Sequence, residues 1–228
     1  MTAMKTIRAQ TAAKASVADR VAASVLQSLR DGDVVPGQRL VETETAQRTG
    51  SSRPAVREAF ARLAAEGVVE FARNRGVTIR KLSPDEVRDI FQVRANLEGL
   101  AARLAVSASD KMIARIEKLH HIVVAAAEQG DSSAYVEANV AFHEAIVEAG
   151  GNGVLADALR RLGNTIAGLQ FRRALTRTTM LASAREHGRI VKAIRARNAA
   201  AAQAQAIAHV EASLALLEQS FRRETDVP

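Results

Sequence analysis

Two groups of side chains in this sequence stand at spacings that chemistry uses. Arg53 and Arg57 lie four apart at the start of a stretch with helical apolar periodicity, so they share one helix face. A guanidinium carries its donors in a planar fork and can give two bonds to one guanine edge or to a phosphate, which a lysine cannot reproduce. The same pair could also form a solvated helix face. The second group is His143, His187 and His209, with Asn139 one turn before the first. Asn139 and His143 are an i,i+4 pair, the spacing that lets two ligands on one helix reach one ion. His143 shares a stripe with Val136, Val140 and Val147, His187 with Ile190, Val191 and Ile194, and His209 with Ala202, Ala206 and Leu216. All three imidazoles are therefore expected to face the interior, where each needs a polar partner. A shared divalent metal would supply one (Zn²⁺ or Ni²⁺ suit imidazoles from three helices), and so would an anionic ligand or separate backbone carbonyls. His120 and His121 lack such a pattern and read as surface residues.

Arg94 adds a third feature, because it falls on the stripe of Ile90, Leu97, Ala101 and Leu104. An inward guanidinium needs a partner: either Glu98, four residues on, or an anionic ligand that it clamps. Catalysis is not expected. His143-Glu144 begins like a zinc-protease motif, but Val147 stands where the second histidine would be. The sequence holds neither a glycine-rich phosphate loop nor a nucleophile elbow.

The elements that must carry these residues can be read from punctuation and charge. The chain has 228 residues, 47% apolar, enough for two compact domains. Only 3% are aromatic, too few rings for a base-stacking single-strand binder. With no cysteine, disulfide scaffolds, thiolate metal sites and thiol catalysis are excluded. Residues 1–82 carry 14 basic against 8 acidic groups, and the remainder 18 against 17, so the net charge of +7 sits almost entirely in the first third. Polyanion binding is expected there. Residues 1–15 lack the apolar core of a secretory signal and read as a disordered arm, so a cytoplasmic protein is expected.

Residues 16–80 read as one domain. A helix over 17–29 is followed by the Pro36-Gly37 turn, helices at 42–49 and 53–66, and β-prone segments at 68–71 and 77–80 around a Gly-containing loop. That order is a winged helix-turn-helix. Ser51 or Ser52 is the expected N-cap of the second helix, while Val56, Phe60 and Leu63 turn inward. Arg75-Gly76 falls at the wing tip, where a cation stands beside a residue able to approach DNA closely. A short linker, 81–85, leads to a stretch without proline over 86–223. Six helices are expected there, at 84–106, 110–129, 132–149, 153–175, 180–197 and 199–222. The predicted class is mainly α, a winged helix-turn-helix joined to an all-helical bundle.

Residues 34–80 closely resemble the GntR family of bacterial transcriptional regulators. The match runs through Val35-Pro-Gly-Gln-Arg-Leu40, Glu42, Ser52-Arg-Pro-Ala-Val-Arg-Glu-Ala-Phe60, Arg62-Leu63, Glu66-Gly-Val-Val69 and Arg75-Gly76. The resemblance implies DNA contact by Ser52, Arg53, Arg57 and the Arg75-Gly76 tip. Two departures stand out: Pro54-Ala55 replaces the usual Thr-Pro, and Thr43 stands where fatty-acid-responsive members carry an arginine. The helical part resembles the FCD domain of the FadR subfamily, in many of which an aspartate and three histidines hold a metal that in turn holds a carboxylate. By that resemblance the metal ligands are Asn139, His143, His187 and His209, with Asn139 replacing the usual aspartate and weakening the site. Arg94 is implied as the effector clamp, and a metal-free pocket built from the same side chains stays open. The implied whole is a homodimeric repressor that reads an inverted-repeat operator in double-stranded DNA and responds to a small carboxylate.

Overall fold

In the computed structural model, residues 16–72, 76–166 and 175–225 are described. The chain divides into two compact units between Lys81 and Leu82.

The first unit opens with α1 (Val17–Asp31), started by a reciprocal capping box between Ser16 and Asp19 and stopped by Gly32 in the left-handed region, φ 83°. Strand β1 (Arg39–Leu40), α2 (Glu42–Thr49) and α3 (Arg53–Ala65) follow, then strands β2 (Val69–Ala72) and β3 (Gly76–Ile79). Gly50 (φ 60°) closes α2 and makes the tight turn into α3 that a side chain would strain. Val56, Ala59, Phe60 and Leu63 of α3 are buried, as are Val21, Val25 and Leu29 of α1. The strands form an antiparallel sheet in the order β1-β3-β2, with Arg39 opposite Thr78 and Val69 opposite Ile79. The two-strand hairpin expected from the sequence thus gains a third strand. Two residues are too short for any periodicity to announce, and pairing with β3 is what defines them.

Among the described residues the regular elements of the second unit are all helices. Helix α4 (Pro84–Ala105) starts on a Ser83/Glu86 capping box with proline in its first turn. Helices α5 (Asp110–Gln129), α6 (Ser132–Gly150) and α7 (Gly153–Thr165) follow, capped by Ser109, Asp131 and Asn152. Then come α8 (Arg177–Arg195) and α9 (Ala199–Thr225). Helix α8 begins three residues earlier than the sequence suggested, because Thr176 and Thr179 form a capping box there. The expected continuation of α7 toward 175 falls largely on 167–174, outside the described residues.

The main core gathers Ile116, Val123, Phe142, Met180, Ile190 and Ile194 between α5, α6 and α8. Helices α4 and α9 lie against each other through Val87, Phe91, Val210 and Leu217. Their approach is close at Gly99, where an added Cβ would come within 2.7 Å of Ile207 Cγ1. No helix among the described residues is long and apolar enough to cross a membrane.

Candidate functional site

In the first unit the tight turn at Gly50 sets the start of α3 outward. Ser52 is its N-cap residue and Pro54 sits in its first turn, where a missing N–H costs nothing. The Ser52 hydroxyl makes no cap bond, and Ser51 Oγ is engaged with Thr49 Oγ1 at 2.8 Å, so the expected serine cap is not formed. Ser52, Arg53 and Arg57 are all exposed. Glu42, at the start of α2, holds both arginines: its carboxylate accepts from Arg57 Nε at 2.9 and 3.0 Å and from Arg53 Nη2 at 3.4 Å. The Arg57 hydrogen bond is the main reason the Glu42 carboxyl lies below its ordinary value, with the charges of Arg57 and Arg53 adding to it. The arginines thus form one preset cationic ridge, tied at its base to a single acid. Gly76 opens β3 at φ 75°, the left-handed region that favours glycine. Arg75 lies outside the described residues.

In the second unit α6, α8 and α9 bring His143, His187 and His209 together. One ligand nitrogen from each lies within 4.8 Å of the others. His187 and His209 are buried, and His143 is at the margin. Phe142 forms the apolar floor, its ring centroid 4.6 Å from that of His187. The buried face of α6 is Tyr135, Ala138, Phe142, Ala145 and Ile146, and Val140 is exposed. The stripe read for His143 is therefore displaced by one residue, since Phe142 takes the deep position. Asn139 is half-buried one turn before His143.

Hydrogen bonds order the cluster. His143 Nδ1 lies 3.1 Å from Glu98 Oε2, and Arg94 donates to the other Glu98 oxygen. His209 Nδ1 lies 2.8 Å from Glu186 Oε2, and its Nε2 lies 3.1 Å from His187 Nε2. Burial alone would raise the Glu98 carboxyl, but Arg94 and His143 overcome that and hold it below the ordinary carboxylate range. Burial pushes His187 well below its ordinary value, reinforced by the neighbouring imidazoles. His209 is also lowered by burial, which outweighs the upward pull of Glu186.

These residues fit a divalent cation. With His209 Nδ1–H given to Glu186, its Nε2 is a lone pair. The facing Nε2 of His187 must then carry a proton, or a cation must stand between the two. In the first case His187 Nδ1 is a bare acceptor and in the second a bare donor, and among the described residues no hydrogen-bond partner reaches this buried atom. Two nitrogens on one tetrahedral zinc, each about 2.0–2.1 Å from it, lie roughly 3.3 Å apart, close to the spacing found here. Burial favours the neutral form of His187 and His209, the state in which an imidazole binds a metal.

A water-sized cavity of about 10 Å³ adjoins the cluster, with Glu98 and His143 as its polar wall and Ile146, Val147 and Ile190 as its apolar one. Arg94 lies at the margin, only a fifth of its side chain exposed (20%), on Glu98. Sequence reasoning foresaw that pairing as one of two roles for Arg94. It did not find the bond from Glu98 to His143, which joins helices 45 positions apart in sequence, nor the hold of Glu42 on the α3 arginines. Nor did it find Glu186 as the partner of His209. His120 corrects the surface reading: it is half-buried, with Nε2 3.0 Å from Ala184 O and its ring beside Phe142. Both histidines of the His120-His121 pair look alike in sequence, and only the packing of α8 on α5 distinguishes them.

A winged helix-turn-helix with an exposed arginine ridge, joined to a helical domain with a buried polar cluster, defines a two-part protein of the DNA-binding regulator class. Comparison with known proteins makes the assignment specific. Residues 17–79 match the family described as bacterial regulatory proteins, gntR family, and residues 89–212 match the FCD domain. The chain is 30% identical over 187 residues to the HTH-type transcriptional regulator YdhC of Bacillus subtilis, covering 78% of this chain and 81% of that one. It is 31% identical over 150 residues to a probable D-xylose utilization operon transcriptional repressor of Paenarthrobacter nicotinovorans, covering 66% of each. The E. coli McbR/YncC structure shares the fold at a TM-score of 0.82 and 22% identity, over 90% of this chain and 99% of that one. The chain belongs to the GntR family, with an FCD domain as its C-terminal part. It is a DNA-binding transcriptional regulator and not an enzyme.

Proposed function

We propose that this regulator is a FadR-type repressor that acts in the cytoplasm as a homodimer and responds to a small carboxylate metabolite. Each DNA-binding domain would place α3 in the major groove of one half of an inverted repeat, the dimer axis matching the operator's twofold axis. Arg53 and Arg57 would leave Glu42 for base edges or phosphates, the Ser52 hydroxyl would bond a phosphate, and the Arg75-Gly76 tip would follow the backbone or minor groove. In the helical domain His143, His187 and His209, with the Asn139 amide, would hold a divalent metal such as Zn²⁺ or Ni²⁺. When bound, that ion would supply a positive centre for an anionic ligand. Arg94 would orient the same carboxylate by a charge-assisted bidentate bond, released for that purpose from Glu98.

The observation that carries this reading is the convergence of three imidazoles from three helices, one nitrogen of each within 4.8 Å of the others and the Nε2 atoms of His187 and His209 only 3.1 Å apart. A cavity of about 10 Å³ holds roughly one water, so seating an acid requires Arg94 and its neighbours to open. That movement is the proposed source of the signal to the DNA-binding domains. The test is binding of the full chain to its own upstream region and to random duplex across a salt series. A regulator of this kind prefers its operator by at least about a thousandfold, and equal affinity for both sequences would reject the reading.

A further inference from the structure

Two acids flank the histidine cluster without belonging to the proposed ligand set. Glu98 reaches His143 from α4, and Glu186 reaches His209 from α8. Both meet Nδ1, and both are on the side of the ring away from Nε2. Their side chains are largely withdrawn from water, 10% exposed for Glu98 and 21% for Glu186. Glu144, which follows His143 directly, is exposed. Proximity in sequence therefore does not select the partner acid; placement across helices does.

A carboxylate on Nδ1 settles two things about an imidazole. It keeps the proton on Nδ1, leaving Nε2 as a lone pair, and it makes that lone pair more basic. The ligand set itself, three neutral imidazoles and an amide, brings no negative charge to balance a divalent ion. In a dry site that deficit is costly.

We propose that Glu98 and Glu186 are positioning residues of the divalent-cation site, which fix His143 and His209 in the metal-binding tautomer and supply from outside the ligand shell the charge that Asn139 lacks. The proposal rests on the metal reading given above. Glu98 has a second consequence, because the same carboxylate holds Arg94. The guanidinium proposed to receive the effector and the imidazole proposed to receive the metal share one counter-ion. Whatever draws Arg94 away leaves Glu98 more fully committed to His143, so the two sites are coupled through a single side chain.

The experiment uses the full-length protein, freed of metal by chelation and titrated with Co²⁺ alone against a competing chelator. Affinity, the visible absorption bands of the bound ion and imidazole tautomers by ¹H–¹⁵N correlation are read together. Glu98→Gln and Glu186→Gln keep an amide oxygen able to accept the Nδ1–H bond while removing the charge. Each is expected to weaken Co²⁺ binding by roughly 10–100-fold with the bound-ion spectrum retained, the range typical of lost outer-shell partners. Glu144→Gln serves as a control for net charge and is expected to leave affinity unchanged. Thermal melts establish that each variant folds, and Glu186→Gln, at the cluster's margin, keeps the test open if Glu98→Gln does not fold. Wild-type protein that binds Co²⁺ while both variants bind it equally well, with unchanged tautomers, would overturn the proposal and leave the metal site standing. Wild-type protein that binds no Co²⁺ would remove the metal reading, and the proposal with it.

Discussion

Glu42 and Glu98 are each held by two side chains, Glu42 by two guanidinium groups and Glu98 by one guanidinium and one imidazole, in opposite surroundings. Glu42 shares its carboxylate between Arg53 and Arg57 at the surface, where the arginine side chains are 57% and 63% exposed. Glu98 shares its own between Arg94 and His143, with all three side chains largely shielded from solvent. In water an ion pair gains little, is screened by salt, and yields readily to another anion. In a low-dielectric interior the same pair is held by the cost of leaving a charge alone. The first arrangement suits a surface that must exchange its counter-ion for a phosphate or a base. The second suits a site that should change only when a ligand of matching charge arrives.

The contrast can be broken most forcefully at Glu98. Glu98→Ala leaves the Arg94 guanidinium without its acid and His143 without its carboxylate partner, and should cost about 3 kcal/mol of stability in chemical denaturation. A loss within experimental error of zero would mean that the buried pair is not a pair in solution. Next in size is Arg57→Ala, which should weaken operator binding roughly 10–100-fold in an anisotropy titration while leaving the melting temperature unchanged. A fall in melting temperature as large as the loss of binding would instead make Arg57 a structural residue.

A pH series on metal-free protein sharpens the interior half of the comparison. Burial lowers both His187 and His209 below the ordinary value of 6.5. Between their folded values and about 6.5 the unfolded chain takes up protons that the fold refuses, so stability rises with pH there. It should be fully present above about pH 6.5 and fall away as the pH drops below it, and replacing His187 by Gln should flatten that decline. The smallest effect is expected from Glu42→Gln. Stability should hardly change, while affinity for random duplex rises a few-fold and the salt dependence steepens, because two guanidinium charges lose their shared acid. An unchanged salt slope would show that Glu42 does not restrain the ridge.

Much of this architecture is legible in the sequence. Pro36, Pro54 and Pro84 mark the turn and helix starts, glycines at 50 and 130 mark helix ends, and the burial of Val56, Phe60 and Leu63 follows from 3.6-residue periodicity. The inward turn of His187 was legible in the same way, from Ile190, Val191 and Ile194, all of them buried. What was not legible depends on distant strands and helices meeting. Strand β1 exists only because β3 pairs with it. Glu98 carries a local signal for Arg94 at i,i+4 but none for His143, and nothing in the sequence around Glu186 points to a histidine on the following helix. Arg197 is a further case: it adopts φ 56°, and its guanidinium bridges the carbonyls of Val106 and Ala108 and the Asp110 carboxylate across the α4–α5 turn. No single-helix pattern encodes a contact of that kind.

The central claim, that the helical domain is built around a cation held by three histidines, is tested most directly by the metal content of the full chain. Protein purified without chelator or affinity metal, exposed to Zn²⁺ and then gel-filtered, would be measured by elemental analysis beside its His187→Ala variant. The account predicts close to one ion per chain in the wild type and almost none in the variant. A folded wild type that leaves the column without metal, or a variant that retains as much as the wild type, would contradict it.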